Sequence, residues 1–237
     1  YTMVNSGSIY DANETYYIFD YDLEQFVVTT PSIYDPNAGN SVDIHTVTIN
    51  MYGGTVEKSL YGGSNSQGTI VGSVYLNLYK GNVSTTSSAV YGGGMGASTT
   101  IKNNVVIKTN TNTDNDLLIN ELYGGSELGT VNKSGTTNIT INGGIIKKVY
   151  GGGKGNDSVS PSTNGDITVN MNSGIVTNIF GGNNIRGVIS TNILVNVSGG
   201  TIDNVYGGSD GSNLSLSSGQ SSEGIVGATN TKVNITG

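Results

Sequence analysis

Leu60-Tyr61-Gly62-Gly63 returns five more times down the chain, as Val90-Tyr91-Gly92-Gly93, Leu122-Tyr123-Gly124-Gly125, Val149-Tyr150-Gly151-Gly152, Ile179-Phe180-Gly181-Gly182 and Val205-Tyr206-Gly207-Gly208. Each copy is an aliphatic residue, an aromatic and two glycines, and successive aromatics lie 30, 32, 27, 30 and 26 residues apart. An element that recurs at this interval marks one coil of a solenoid or one blade of a propeller, because such units bury their apolar faces only against their neighbours.

Three strand-like pieces align around each anchor. The first alternates apolar and polar residues before a turn, as in Ile139-Thr140-Ile141-Asn142-Gly143 and Val195-Asn196-Val197-Ser198-Gly199. Alternation puts Ile, Leu, Val and Met on one face of a strand and Asn or Thr on the other. The second piece runs into the anchor, as in Ile202-Asp203-Asn204-Val205-Tyr206. The third follows a Gly-rich loop, as in Gly129-Thr130-Val131 and Gly187-Val188-Ile189. A propeller blade needs four antiparallel strands and about 40 residues or more, so three strands in about 29 residues favour a parallel β-helix. The expected fold is all-β: a right-handed parallel β-helix of six to seven coils, each of three short strands. With strands stacked about 4.8 Å apart, the rod is on the order of 30 Å long. Glycines at the corners are expected to supply positive φ, and the variable loops after each anchor to line one edge.

Residues 1–45 differ from the repeats at 46–237. Six of the 14 Tyr, two of the three Phe and seven of the 17 acidic residues lie there, and the first Lys or Arg is Lys58. A solenoid's terminal coil has an open strand edge and a bare core. The apolar runs Tyr16-Tyr17-Ile18-Phe19 and Phe26-Val27-Val28 suit a segment that covers it, so 1–45 is expected to be an N-terminal cap. The chain starts at Tyr1 rather than Met, which suggests a processed product or an excised piece.

Only 11% of residues are charged, 37 are Gly and the net charge is -7, with no basic run. Nucleic acid and anionic lipid are therefore not expected partners. No apolar run approaches the roughly 18 residues of a membrane span, so membrane insertion is not expected. There is no Cys, which is compatible with an oxidising exterior.

Repeats of the form (V/L)YGG, a Gly-rich loop, then T-x-V-x-I-x-G-G-x-I resemble those of large secreted or cell-surface β-helix proteins of anaerobic bacteria and archaea, the adhesin-like proteins. The resemblance covers residues 46–237 and implies an extracellular or cell-surface location. Residues 1–45 carry no part of it.

The column Tyr61, Tyr91, Tyr123, Tyr150, Phe180, Tyr206 is read as a structural ladder of aromatics packed coil on coil, since Phe180 drops the hydroxyl without breaking the pattern. The competing reading lays a sugar on exposed ring faces. The polar column Asn50, Asn77, Thr140, Asn170, Asn196 and Asn234 forms either an amide ladder or a flat face towards a polysaccharide or ice. Catalytic material is sparse: His45 is the one His, Arg186 the one Arg, and no Cys completes a metal set or a triad. Asp114, Asp116, Glu121 and Glu127 form the one modest acidic group of the repeats, where a polysaccharide lyase would need clustered carboxylates and a base. No cofactor is expected. The segment acids Asp11, Glu14, Asp20, Asp22 and Glu24 offer the one place for calcium, without an EF-hand or nonapeptide pattern. Eight Asn-x-Ser/Thr sequons permit glycosylation outside the cytosol.

These observations predict a structural or adhesive module and no enzyme, with a carbohydrate-binding or lyase-like β-helix as the alternative. The expected partners are further copies of the chain, in an oligomer or filament, with a surface polysaccharide or a receptor on a host or partner cell as the others. Val233 and Ile235 lie in the first strand of a seventh copy. Val4-Asn5-Ser6-Gly7-Ser8-Ile9-Tyr10 resembles Met171-Asn172-Ser173-Gly174-Ile175-Val176, so either Val4, Ser6 and Ile9 complete that coil in a neighbouring copy, head to tail, or the chain is cut from a longer solenoid whose own next coil completes it.

Overall fold

The computed structural model describes residues 2–4, 8–10, 16–20, 25–29, 46–132, 134–211, 225–226 and 228–237. Residues 1–43 and 44–237 form two compact units. In the first, strands Thr2–Val4, Ser8–Tyr10, Tyr16–Asp20 and Gln25–Thr29 pair antiparallel in chain order. Val4 pairs with Ser8 and Met3 with Ile9 across the first hairpin. The described residues on either side of Asn5-Ser6-Gly7 thus pair antiparallel with each other. Residues 171–176 lie inside one bent strand, Ile167–Phe180, whose neighbours are all parallel. Asn5-Ser6-Gly7 stands between two short β runs, which is the pattern of a tight hairpin. Ser6 itself lies outside the described residues, as do Asp11, Glu14, Asp22, Glu24 and His45; Asp20 pairs with Gln25.

The second unit is a parallel β-solenoid that makes about five turns between its first and last aromatic anchors. The first face stacks seven strand segments in one register. Ile49, Leu76, Ile107, Ile139, Val169, Val195 and Val233 form one inward column. Its five inner members are fully buried. The second face carries Leu60, Val90, Leu122, Val149, Ile179 and Val205 in a facing column. A third, six-stranded sheet closes the triangle with Ile70, Ile101, Val131 and Ile189 in the core. The expected face assignment holds: Ile141, Val149 and Val197 are buried, Val205 packs on the core, and Asn170 and Asn196 lie outside. Thr109 interrupts the inward column beside Ile141. Its buried hydroxyl donates to the Gly143 carbonyl at 2.7 Å and accepts from the Asn142 amide at 3.1 Å, so no polar group is stranded.

The glycines serve in two ways. At the bend between the first and second faces they take positive φ as expected, at Gly54, Gly81, Gly143, Gly144, Gly174 and Gly200. In the anchors the reason is different, because none of those glycines has positive φ. A Cβ on Gly92 would stand 2.4 Å from the Gly124 carbonyl oxygen and 2.3 Å from Val105 Cγ1; on Gly151 it would stand 2.2 Å from the Gly181 oxygen. The anchors need close approach between coils rather than an unusual dihedral.

Two pairs of variants test this arrangement by urea denaturation. Ile141→Ala is expected to cost about 2–5 kcal/mol, and Thr140→Ala, one residue along and facing out, within about 0.5. Gly151→Ala should lower the unfolding midpoint, while Gly208→Ala, whose added methyl meets nothing within 4 Å, should not. Equal losses within either pair would place the faces or the seam wrongly.

Candidate functional site

The aliphatic anchor residue points into the core, and the aromatic that follows it points to the opposite side of the second face. There the six rings form one column. Centroids of successive rings are 4.7–5.0 Å apart and their planes lie within 5–12° of parallel. Tyr91, Tyr123, Tyr150 and Phe180 are buried, whereas Tyr206 is 47% exposed. The inner ring faces are covered by other rings, so they are closed to a sugar. The column is structural in its geometry.

Each buried phenol brings a hydroxyl that must be matched. Tyr61 Oη donates to Glu127 Oε2 at 2.5 Å, Tyr123 Oη to Glu121 Oε2 at 2.8 Å, and Tyr150 Oη to Asp210 Oδ2 at 2.9 Å. Asn184 Nδ2 in turn donates to Tyr123 Oη at 2.7 Å. Glu127, Asn184 and Asp210 occupy the same place, four residues after their own anchor aromatics Tyr123, Phe180 and Tyr206. Each reaches a ring two coils earlier. The post-anchor loops therefore lean back over the ladder. They also stack on one another: the amides of Glu127, Lys154, Asn184 and Asp210 donate to the carbonyls of Gly94, Ser126, Gly153 and Asn183 in the preceding coil. Burial raises the pKa of Tyr61, Tyr91, Tyr123 and Tyr150, and the neighbouring carboxylates Glu127, Glu121 and Asp210 raise it further.

This arrangement disperses the acidic group of the repeats. Glu121 and Glu127 serve the phenols, and Lys154 stands 3.7 Å from Glu127. Asp114 accepts from the Gly144 amide at 3.0 Å, and Asp116 pairs with Lys80 at 3.4 Å on a different bend. Among the described residues no three His, Cys, Asp or Glu side chains stand together as a metal set. Nor is any described helix long and apolar enough to cross a membrane.

The outward polar column forms amide ladders. Asn77 donates to Asn50, Asn196 to Asn170 and Asn234 to Asn196, each at 2.8 Å, with Lys108 and Thr140 standing between the two runs. A parallel column at the first bend continues Asn142 onto Asn110 and Asn172 onto Asn142. At the head of that column stands a second aromatic stack that the anchor pattern does not contain. Tyr52 and Tyr79 lie 4.8 Å apart and 9° from parallel, with Tyr52 69% exposed. The signal for it was available, since both tyrosines follow an inward residue, Met51 and Leu78, at the same point of their coils.

No protein-family model, curated protein or solved structure matches the chain.

The raised phenol pKa values set a pH dependence. In the unfolded chain tyrosine ionises near pH 10, while in the folded chain Tyr61, Tyr91, Tyr123 and Tyr150 hold their protons beyond it. Their stabilisation is therefore complete below about pH 10 and lost as pH rises towards the folded values. Titration followed by tyrosinate absorbance should show a fraction of the tyrosines, Tyr61, Tyr91, Tyr123 and Tyr150, ionising only on unfolding. Smooth ionisation of all 14 Tyr in the folded protein would contradict the hydrogen-bonded ladder.

Proposed function

We propose that the chain is a structural and adhesive β-solenoid module of an extracellular or cell-surface protein. The observation that carries the reading is the continuity of the stack: core columns, ring ladder, glycine seam and loop ladder all run from coil to coil. In each column the conspicuous side chains are engaged with their counterparts in neighbouring coils. The alternative, a lyase-like enzyme, finds less support, because the repeat carboxylates are spread over phenols, lysines and a backbone amide.

A specific observation favours assembly along the axis. Val233 and Ile235 continue the buried columns of Val195 and Val197, yet are 39% and 63% exposed. The strand Asn230–Ile235 thus offers a template for a further parallel strand, whether from the same longer polypeptide or from a second copy. Donation by residues 4–9 would first have to break their antiparallel pairing with one another.

Antibody against residues 46–237 should label intact cells of the producing organism as strongly as lysed ones. Labelling only after lysis would remove the surface reading. The purified protein should release no unsaturated product from polygalacturonate or alginate, with or without calcium; turnover lost on replacing Asp114 and Asp116 together would establish the lyase instead. Sedimentation velocity over a concentration series should show rods growing in length, and Ile235→Lys should abolish that growth. A monomer at every concentration would exclude pairing between copies.

A further inference from the structure

We infer that the first bend of the solenoid carries a binding site for a neutral oligosaccharide. The site would supply the adhesive half of the proposed function, on which it rests; the structural half is independent of it.

The bend is where the first face turns into the second, and in the first two coils it passes through Tyr52-Gly53-Gly54 and Tyr79-Lys80-Gly81. The next coil departs from this pattern. Asn110 is in register with Asn142 and Leu118 with Ile145, yet Gly143 and Gly144 alone separate the second pair, while residues 111–117 separate the first. The extra length forms a 3-10 turn at Asp114–Asp116. That turn is tied to the coils on either side, by Asp114 accepting from Gly144 and by Asp116 pairing with Lys80. Between it and the two glycine bends lies an open depression of about 340 Å³, bordered by Gly53, Gly54, Thr55, Asn82 and Asn115.

Its chemistry matches a sugar. The stacked pair Tyr52–Tyr79 belongs to the same two bends, one residue before the lining at Gly53 and Lys80, and Tyr52 leaves most of its surface in water. An aromatic face carries negative charge density, so it receives the C–H face of a pyranose ring. The depression beside it supplies what hydroxyl groups need. Asn82 turns its carbonyl to the Ser84 amide and hydroxyl, at 2.9 and 2.6 Å, which leaves its NH2 group as a donor. Asn115 and the Thr55 hydroxyl are exposed on the rim. A few polar groups in a concavity of this size, with the tyrosines adjoining its border in the chain without lining it, fit a small-ligand site. Lys80 and Asp116 neutralise each other at 3.4 Å, and Asp114 on the same turn leaves an excess of negative charge that selects against uronic polymers. Across the same face Tyr75 stands two residues before Asn77 and four before Tyr79 on one strand, which puts the two rings about 13 Å apart. Tyr75 is 37% exposed, and a chain of several sugars would span both rings.

The depression also has room that a side chain would remove. Gly53 is not in the positive-φ region, and a Cβ there meets nothing within 4 Å, so Gly53→Leu is expected to fold normally and fill the space.

Isothermal titration with cellohexaose, xylohexaose, mannohexaose and oligogalacturonate, on the full chain, tests the site. At least one neutral hexasaccharide should bind at millimolar sugar or below and more tightly than oligogalacturonate. Tyr52→Ala, Tyr79→Ala and Gly53→Leu should each weaken it ten-fold or more. Tyr79→Phe should retain it, and Met95→Ala, on a post-anchor loop, should leave it unchanged. Circular dichroism of each variant reports folding; if a tyrosine variant unfolds, Gly53→Leu and the exposed Asn115→Ala decide the question. Binding of none of the neutral sugars, a preference for oligogalacturonate, or binding indifferent to the folded variants would overturn the site. Surface labelling that persists in those cases would leave the structural reading standing.

Discussion

Parallel coils stack at one backbone spacing, about 4.8 Å, and every side chain on the solenoid has to be compatible with the residue one coil away at that distance. The aromatic ladder shows how direct the constraint is, since its ring separations of 4.7–5.0 Å are the strand spacing itself. Flat rings, amides and branched aliphatics repeat well under such a rule. Charges do not. Two like charges 4.8 Å apart repel by about 1 kcal/mol in water and about 3–4 kcal/mol at the effective dielectric of a protein surface. The low charged content follows from this, and so does the placement of the charges that remain: Glu121 pairs in register with Lys148, and Glu127 lies 3.7 Å from Lys154.

The same spacing explains why the anchors need two glycines after the aromatic. The chain leaves the second face there; at the first glycine the carbonyl of the next coil occupies the position a Cβ would take, and at the second a backbone nitrogen or a Ser or Asn side chain of the next coil does. A side chain would push adjacent coils apart at one corner while the three sheets hold them together. Seam and ladder are thus one feature, with the ring covering backbone that has no side chains of its own.

Much of this was legible from spacing alone. The anchors define the coil, and strict alternation at Ile139-Thr140-Ile141 or Val195-Asn196-Val197 assigns inside and outside, because a one-residue slip would reverse every face. What escaped the sequence depends on displacement between coils. Column reasoning compares residues at equal positions in adjacent repeats, whereas Glu127, Asn184 and Asp210 each contact the ring two coils earlier, 66, 61 and 60 residues away. The pairing of Thr2–Val4 with Ser8–Tyr10 was hidden for another reason. A short β-turn-β string closes as a hairpin or continues as a bent parallel strand according to its neighbours, and Ile167–Phe180 has parallel partners on both sides while Thr2–Val4 does not.

The two aromatic stacks differ on physical grounds. They share ring spacing and parallel planes, so stacking energy does not distinguish them. Solvent does. Tyr123 and Tyr150 are buried and matched to carboxylates, so removing either ring would open a void within the wall. Tyr52 and Tyr79 sit outside the core, where their cross-strand contact contributes only about 0.2–1 kcal/mol and a smaller polar residue would satisfy the strand. They occur in the first two coils, while the corresponding column beyond carries Asn110, Asn142 and Asn172. Amides suffice for the fold at that position, so the aromatic pair is not required by the coil spacing.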